Sequence, residues 1–162
     1  MSVSVHVERL ALLLREKQWM AASAESCTGG LIAAACTELA GSSDWFERGF
    51  VTYSNEAKTE SLGVDALLIA QHGAVSEIVA RAMAFGAVRH SRARVSVAVT
   101  GIAGPGGGTP DKPVGTVWFA WQVDGRLSSE TKRFDGNREA VRRQTVDHAL
   151  QRLVDKLEEW QP

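Results

Sequence analysis

The sequence predicts an α/β protein, a three-layer α/β/α sandwich around a five-stranded mixed sheet. Three observations carry that expectation. Short apolar runs of strand length alternate with stretches of helical periodicity along most of the chain. An Asp124–Gly125 pair between two apolar runs signals a hairpin, which makes at least one strand antiparallel to its neighbour. The first and last segments repeat the same amphipathic stripe, as outer-layer helices do.

Val3, Val7, Leu10 and Leu14 recur at i, i+4, i+7 and i+11, the stripe of an opening helix. Trp19 to Ala24 reads as a short buried strand that ends in a polar turn at Glu25–Ser26. Thr28 to Leu39 is small, apolar and helical, and Gly41 stops it. Phe46 to Tyr53 reads as a second strand. Ser54 or Asn55 then caps a short helix through Ser61, ended by Gly63. Another helical stretch covers Asp65–Gln71, and Ser76 opens a longer helix carrying Val79, Met83 and Val88. The valines of Val95–Thr100 form a third strand, and a Gly/Pro loop follows. Gly115–Val123 and Leu127–Phe134 are the two arms of the hairpin. Val146, Leu150, Leu153 and Leu157 mark the closing helix.

The chain has 162 residues, 44% hydrophobic and 23% charged, with a net charge of −1. That is the composition of a globular domain rather than a disordered chain, and one domain over residues 1–162 is expected. The near-zero charge excludes the electrostatic footprint of a dedicated nucleic-acid binder. No apolar run approaches the roughly 20 residues needed to span a bilayer. Charges interleave the first leucines, which is not the pattern of a signal peptide, so a cytoplasmic location is expected. Cys27 and Cys36, placed on one helix, would stand about 13 Å apart along its axis, too far for a disulfide. His6, His72, His90 and His148 form no pair at metal-ligand spacing and neither cysteine sits in a CxxC, so no metal or cofactor is expected. Trp118, Phe119 and Trp121 put large apolar groups on both faces of one strand. A homo-oligomer, most simply a two-fold dimer, would cover such surface.

Three segments carry unusual residues, and all fall at strand ends, where open α/β sheets bind ligands. In Ala24-Glu-Ser-Cys-Thr-Gly-Gly30 a strand enters a helix through two hydroxyls and a thiol. Helix-start N–H groups there suit an anion or a developing oxyanion, although Ser26 or Thr28 as a plain N-cap is the bland alternative. The diglycine Gly29–Gly30 costs helix stability and calls for a reason, such as close approach of another group. In Gly49-Phe-Val-Thr-Tyr-Ser-Asn-Glu-Ala-Lys58, Tyr53 ends a strand and Lys58 lies on the next helix. Their spacing is one off the Tyr-x-x-x-Lys of short-chain dehydrogenases, and no GxGxxG is present, which excludes hydride transfer. A lone Lys58 would otherwise be a solvated surface lysine. In Thr100-Gly-Ile-Ala-Gly-Pro-Gly-Gly-Gly108 the glycines fit a ligand-wrapping loop or a surface loop, and no Walker A lysine follows. Arg138, Arg142 and Arg143 are candidate phosphate contacts from the last helix.

A serine is a weak nucleophile until a base takes its proton, and none of the three segments holds a histidine. Lys58 is then the natural base for Ser26, provided its pKa falls well below about 10.4. Ser–Lys pairs of this kind perform acyl transfer on amides or esters.

The same segments closely resemble the CinA C-terminal-domain family, in particular its stand-alone nicotinamide-mononucleotide deamidases. The likeness runs through Ala24–Gly30, Gly41–Lys58, Leu62-Gly-Val64, His72-Gly-Ala-Val-Ser-Glu77, Thr100–Gly106, Lys112-Pro-Val-Gly-Thr-Val-Trp118 and Ala140-Val-Arg-Arg143. It implies an anticodon-binding-domain-like sandwich and hydrolysis of the carboxamide of nicotinamide mononucleotide, a step of pyridine-nucleotide salvage. By position, Ser26 resembles the nucleophile, Lys58 its base, Tyr53 a proton-transfer assistant and Thr100 a further polar group. Backbone and side chains of Cys27, Thr28, Gly29, Gly30, Gly101, Gly104 and Arg142 would then hold the oxyanion or the substrate. Family members that carry an additional N-terminal domain similar to molybdopterin-binding proteins are longer, and the chain is expected to lack it. Cys27 is the rival nucleophile to Ser26. Trp45 and Phe46 read as core rather than as ring-facing aromatics. The competing functions are a non-catalytic nucleotide- or partner-binding module and an amidase acting on another small amide.

Overall fold

In the computed structural model, which describes residues 3–162, the elements run in the order α1 (Val3–Lys17), β1 (Ala21–Glu25), α2 (Leu31–Thr37), β2 (Phe46–Val51), α3 (Asn55–Leu62), α4 (Ala66–His72), α5 (Glu77–Arg89), β3 (Val95–Gly101), β4 (Thr116–Val123), β5 (Arg126–Arg133) and α6 (Arg138–Glu159). A single 3₁₀ turn covers Ser42–Asp44 before β2. The five strands form one sheet in the order β2-β1-β3-β4-β5. β1 is parallel to both β2 and β3, whereas β3, β4 and β5 are joined antiparallel. The hairpin turn has positive φ at both Asp124 and Gly125, the primed geometry that matches strand twist.

The sheet is covered on both faces. On one, Val95, Val97, Val99, Phe119 and Trp121 meet Leu10 and Leu14 of α1 and Leu150, Leu153 and Leu157 of α6. On the other, the alternate residues Ala22, Ala24, Ala98 and Ala120 pack on Val79, Ala80, Met83 and Ala84 of α5. Small residues on that face let α5 lie close to the strands. Trp118 joins this second layer while Phe119 and Trp121 sink into the first, so both faces of β4 are used within the chain. Trp45 is buried and Phe46 packs against the same core.

Among the described residues, the helix starts with side-chain caps are α3 (Ser54), α4 (Asp65), α5 (Ser76) and α6 (Asn137), each accepting from a first-turn N–H. α2 departs from the sequence expectation. It begins at Leu31, not Thr28, because Gly29 and Gly30 take φ of 58° and 109°, outside the helical region. Neither glycine is there for close approach, since a Cβ on either would meet its nearest neighbour at ordinary distance, 3.5 or 3.6 Å. The backbone turn itself requires them.

The core should respond accordingly. Trp121 stacks on Phe119 at 5.7 Å between ring centroids and donates its indole N–H to Ala149 O at 3.0 Å. Trp121→Ala is expected to cost about 3–5 kcal/mol in urea unfolding, by cavity formation and loss of that bond.

Candidate active site

The carboxyl ends of β1, β2 and β3 lie side by side, and β1 and β2 are each extended past their last residue by one backbone bond. Ser26 N–H donates to Val99 O at 3.1 Å, and Thr52 N–H donates to Glu25 O at 2.9 Å. These rungs fix Ser26 and the Thr52–Ser54 corner relative to one another. α3 starts at that corner and carries Lys58 back over it.

Lys58 is only 1% exposed. Its Nζ lies 3.2 Å from Ser26 Oγ, 3.1 Å from Thr52 O and 3.3 Å from Tyr53 O, with Ser54 O further off at 3.5 Å. Burial lowers the pKa of the amine below its ordinary value, because the charged form loses hydration. A neutral amine has two N–H and one lone pair. In the structure Nζ donates to Ser26 Oγ as well as to the two carbonyls; once the amine is neutral and the Thr52 and Tyr53 carbonyls take its two N–H, its lone pair can face the Ser26 hydroxyl hydrogen. No carboxylate stands among these contacts to hold the ammonium.

Beside Ser26, burial pushes the Cys27 thiol up to about 12. It is therefore a thiol, not a thiolate, around neutral pH. Its Sγ also lies against β3, where a Cβ added to Gly101 would fall 3.2 Å from the sulfur and 2.7 Å from Val117 Cγ2. Gly101 is the residue that makes this close approach possible.

Glu25 is the residue that the sequence reading passed over as part of a polar turn. It is the last residue of β1 and fully buried. Oε1 accepts from Thr28 Oγ1 at 2.5 Å and from Ile32 N at 2.8 Å, and Oε2 accepts from Ala33 N at 3.0 Å. One carboxylate thus caps α2 from outside the helix and holds the Ser26–Gly30 loop. Neither Ser26 nor Thr28 caps α2: the N-cap position is Gly30, without a side-chain bond. An acidic residue just before a hydroxyl-rich, glycine-broken helix start was the signal available in the sequence.

Ser26, Cys27, Tyr53, Lys58, Thr100 and Gly101 line one cleft of about 200 Å³, together with Arg138 and the Ala74–Val75 backbone. Thr100 donates its hydroxyl to Ala74 O at 2.9 Å, which ties that loop to β3. Tyr53 is 62% exposed, and its hydroxyl accepts from Arg138 at 3.2 Å. Thr28, Gly29, Gly30, Gly104 and Arg142 do not line the cleft. The Arg142 guanidinium instead donates to the carbonyls of Cys27 and Thr28, at 3.1 and 3.3 Å, and so braces the Ser26–Gly30 loop from α6. Gly104 gives its carbonyl to Arg138 at 2.8 Å. Among the described residues no group of His, Cys, Asp and Glu is arranged to hold a metal ion.

Comparison with known proteins gives a consistent result. A model of the CinA C-terminal domain matches residues 4–157. The nicotinamide-nucleotide amidohydrolase PncC of Pseudomonas putida is 57% identical over 90% of this chain and 91% of that protein. The protein of the same name from Escherichia coli K12 is 53% identical over 90% of this chain and 89% of its own length. The competence damage-inducible protein A (ComA) of Klebsiella pneumoniae has a similar structure, with a TM-score of 0.96 at 38% identity, covering 99% of this chain and all of that one.

The Glu25 contacts generate a specific expectation. Glu25→Gln replaces one accepting oxygen by an NH₂ that must face a helix N–H, because Oε1 accepts from Ile32 and Oε2 from Ala33. It should destabilise the fold by about 1–3 kcal/mol in chemical denaturation and lower turnover through disorder of the Ser26 loop.

Proposed function

The chain belongs to the CinA C-terminal domain family, and we propose that it works as a nicotinamide-nucleotide amidohydrolase through Ser26 and Lys58. It hydrolyses the carboxamide of nicotinamide mononucleotide, giving nicotinate mononucleotide and ammonia. The substrate reading is supported by two relatives of that name above half identity across about nine-tenths of the chain. The chemical reading is carried by one observation, the buried 3.2 Å contact between Lys58 Nζ and Ser26 Oγ.

In this mechanism neutral Lys58 takes the proton of Ser26 directly, with no relay. Oγ forms a bond to the carboxamide carbon, and the C=O electron pair moves onto oxygen. The backbone N–H of Cys27, the residue after the nucleophile, is the candidate donor to that oxyanion. Collapse of the tetrahedral adduct breaks the C–N bond, and the proton on Lys58 leaves with the nitrogen as ammonia. Water then attacks the acyl-serine, giving its proton to Lys58. The second collapse returns the Lys58 proton to Ser26 and releases the carboxylic acid, which gives its own proton to the ammonia or to solvent and leaves as the carboxylate. The protein supplies every proton transfer from one amine. A cleft of about 200 Å³ is smaller than the ~300–1,000 Å³ usual for whole ligands. It suits the pyridine ring and its amide, with the ribose and phosphate at the mouth.

Binding alone would require no buried amine–hydroxyl pair, which weighs against a non-catalytic module. Cys27 is not the nucleophile in this reading, because its proton is held to about 12. The reading extends to a cytoplasmic homodimer with no nucleic acid or membrane partner. In support, the net charge is −1, and among the described residues no helix is long and apolar enough to cross a membrane. Light scattering on the purified protein reads the oligomeric state.

Ammonia release from nicotinamide mononucleotide, without added metal, tests the whole scheme. Ser26→Ala and Lys58→Met should each lower kcat/KM by about 10³-fold or more, while Cys27→Ala keeps substantial turnover. Loss in Cys27→Ala with retention in Ser26→Ala would reverse the assignment. The pH profile has a fixed sign. The base must be neutral, so activity is full above the pKa of Lys58 and falls as pH drops through it. That acidic limb should lie below the 10.5 of an ordinary lysine and vanish from the residual rate of Lys58→Met.

A further inference from the structure

Besides Lys58, the cleft has one cation in its lining, Arg138. Its guanidinium is already oriented. One Nη donates to Gly104 O at 2.8 Å and the other to Tyr53 OH at 3.2 Å. Neither partner is charged, and no carboxylate lies within ion-pairing distance of Arg138 among the described residues. Five N–H groups minus the two in use leave three free, in a planar fork that suits a tetrahedral or planar oxyanion. The flank of the cleft beyond Asn55 is different. Asn55 also borders the groove between α3 and α4, which carries Glu56 and Glu60 and would repel an anion.

We infer that Arg138, held by Tyr53 and Gly104, is the specificity residue that binds the phosphate of the nucleotide substrate. The inference rests on the nucleotide reading above and reassigns Tyr53. Its hydroxyl meets Arg138, whereas Lys58 and Ser26 bond each other directly, so Tyr53 positions the guanidinium and has its own O–H left to donate to the anion. Arg142, with two of its nitrogens on backbone carbonyls of the nucleophile loop, braces that loop instead.

The test compares nicotinamide mononucleotide with nicotinamide riboside, which has the same ring and ribose but no phosphate. The native protein should favour the mononucleotide by at least about 10-fold in kcat/KM. Arg138→Gln should raise KM for the mononucleotide by about 10–100-fold with kcat little changed, and leave kcat/KM for the riboside where it was. Arg138→Lys should recover part of the KM effect, as a point charge without the fork. Tyr53→Phe should raise KM for the mononucleotide alone, by a smaller factor. An equal loss on both substrates in Arg138→Gln would make Arg138 a structural brace and overturn the inference, as would an unchanged KM. A fall in kcat for the riboside in Tyr53→Phe would return Tyr53 to proton transfer. If the native protein turned over the riboside but showed no preference for the mononucleotide, this inference would fail while the amidohydrolase stood. Turnover of neither would remove both.

Discussion

The site depends on taking one amino group out of water. Moving an ammonium into a protein interior costs several kcal/mol, and the protein can reduce that cost by pairing the charge or by letting it go. Around Lys58 there is no carboxylate, only carbonyls and the Ser26 hydroxyl. Burial lowers the pKa of the amine, and the mechanism proposed for the site uses its neutral form. In the proposed mechanism the same carbonyls that accept from the neutral amine also solvate the ammonium formed when it takes a proton. Sheet order makes this possible, because β1 presents Ser26 while the corner after β2 presents the carbonyls.

Glu25 complements this arrangement. It lies one residue from Ser26, yet its carboxylate is turned away into α2 and saturated by two backbone N–H groups and a threonine hydroxyl. Had that charge faced Lys58, it would have held the ammonium and removed the base. The positive φ of Gly29 and Gly30 bends the loop back so that the α2 N-terminus meets Glu25. Cap, glycines and nucleophile are thus one local construction, with Arg142 tying its carbonyls to α6.

The strands and the caps of α3 and α5 were legible because local chemistry decides them: alternating valines in β3, Asp124–Gly125 at the hairpin, Ser54 before α3 and Ser76 before α5. The residues of the site were legible as unusual types at strand ends, and Ser26 with Lys58 came from their chemistry. What the sequence hid was set by tertiary contacts. Glu25 looked like part of a turn because its partners are seven and eight residues on, across a glycine break. Arg142 and Arg138 could not be separated by sequence. They are four apart on one helix, and only packing shows that the first meets the Ser26 loop while the second enters the cleft. The glycines after Thr100 suggested a phosphate cradle, but Gly101 serves close packing against Cys27 and Gly104 lends a carbonyl to Arg138.

Cys27 shows why placement outweighs intrinsic reactivity. A thiol is the better nucleophile in water, and it stands next to the serine that the mechanism uses. In the fold its sulfur is packed against Gly101 and burial raises its pKa, while Ser26 Oγ lies 3.2 Å from Lys58 Nζ. Successive residues leaving β1 point to different sides, so the backbone path assigns one side chain to the amine and the other to the strand. Charge reinforces the choice in the proposed reaction. The fixed positive charge of a pyridinium entering the cleft disfavours an ammonium beside it, so the substrate itself promotes the neutral form of Lys58 that attack by Ser26 requires.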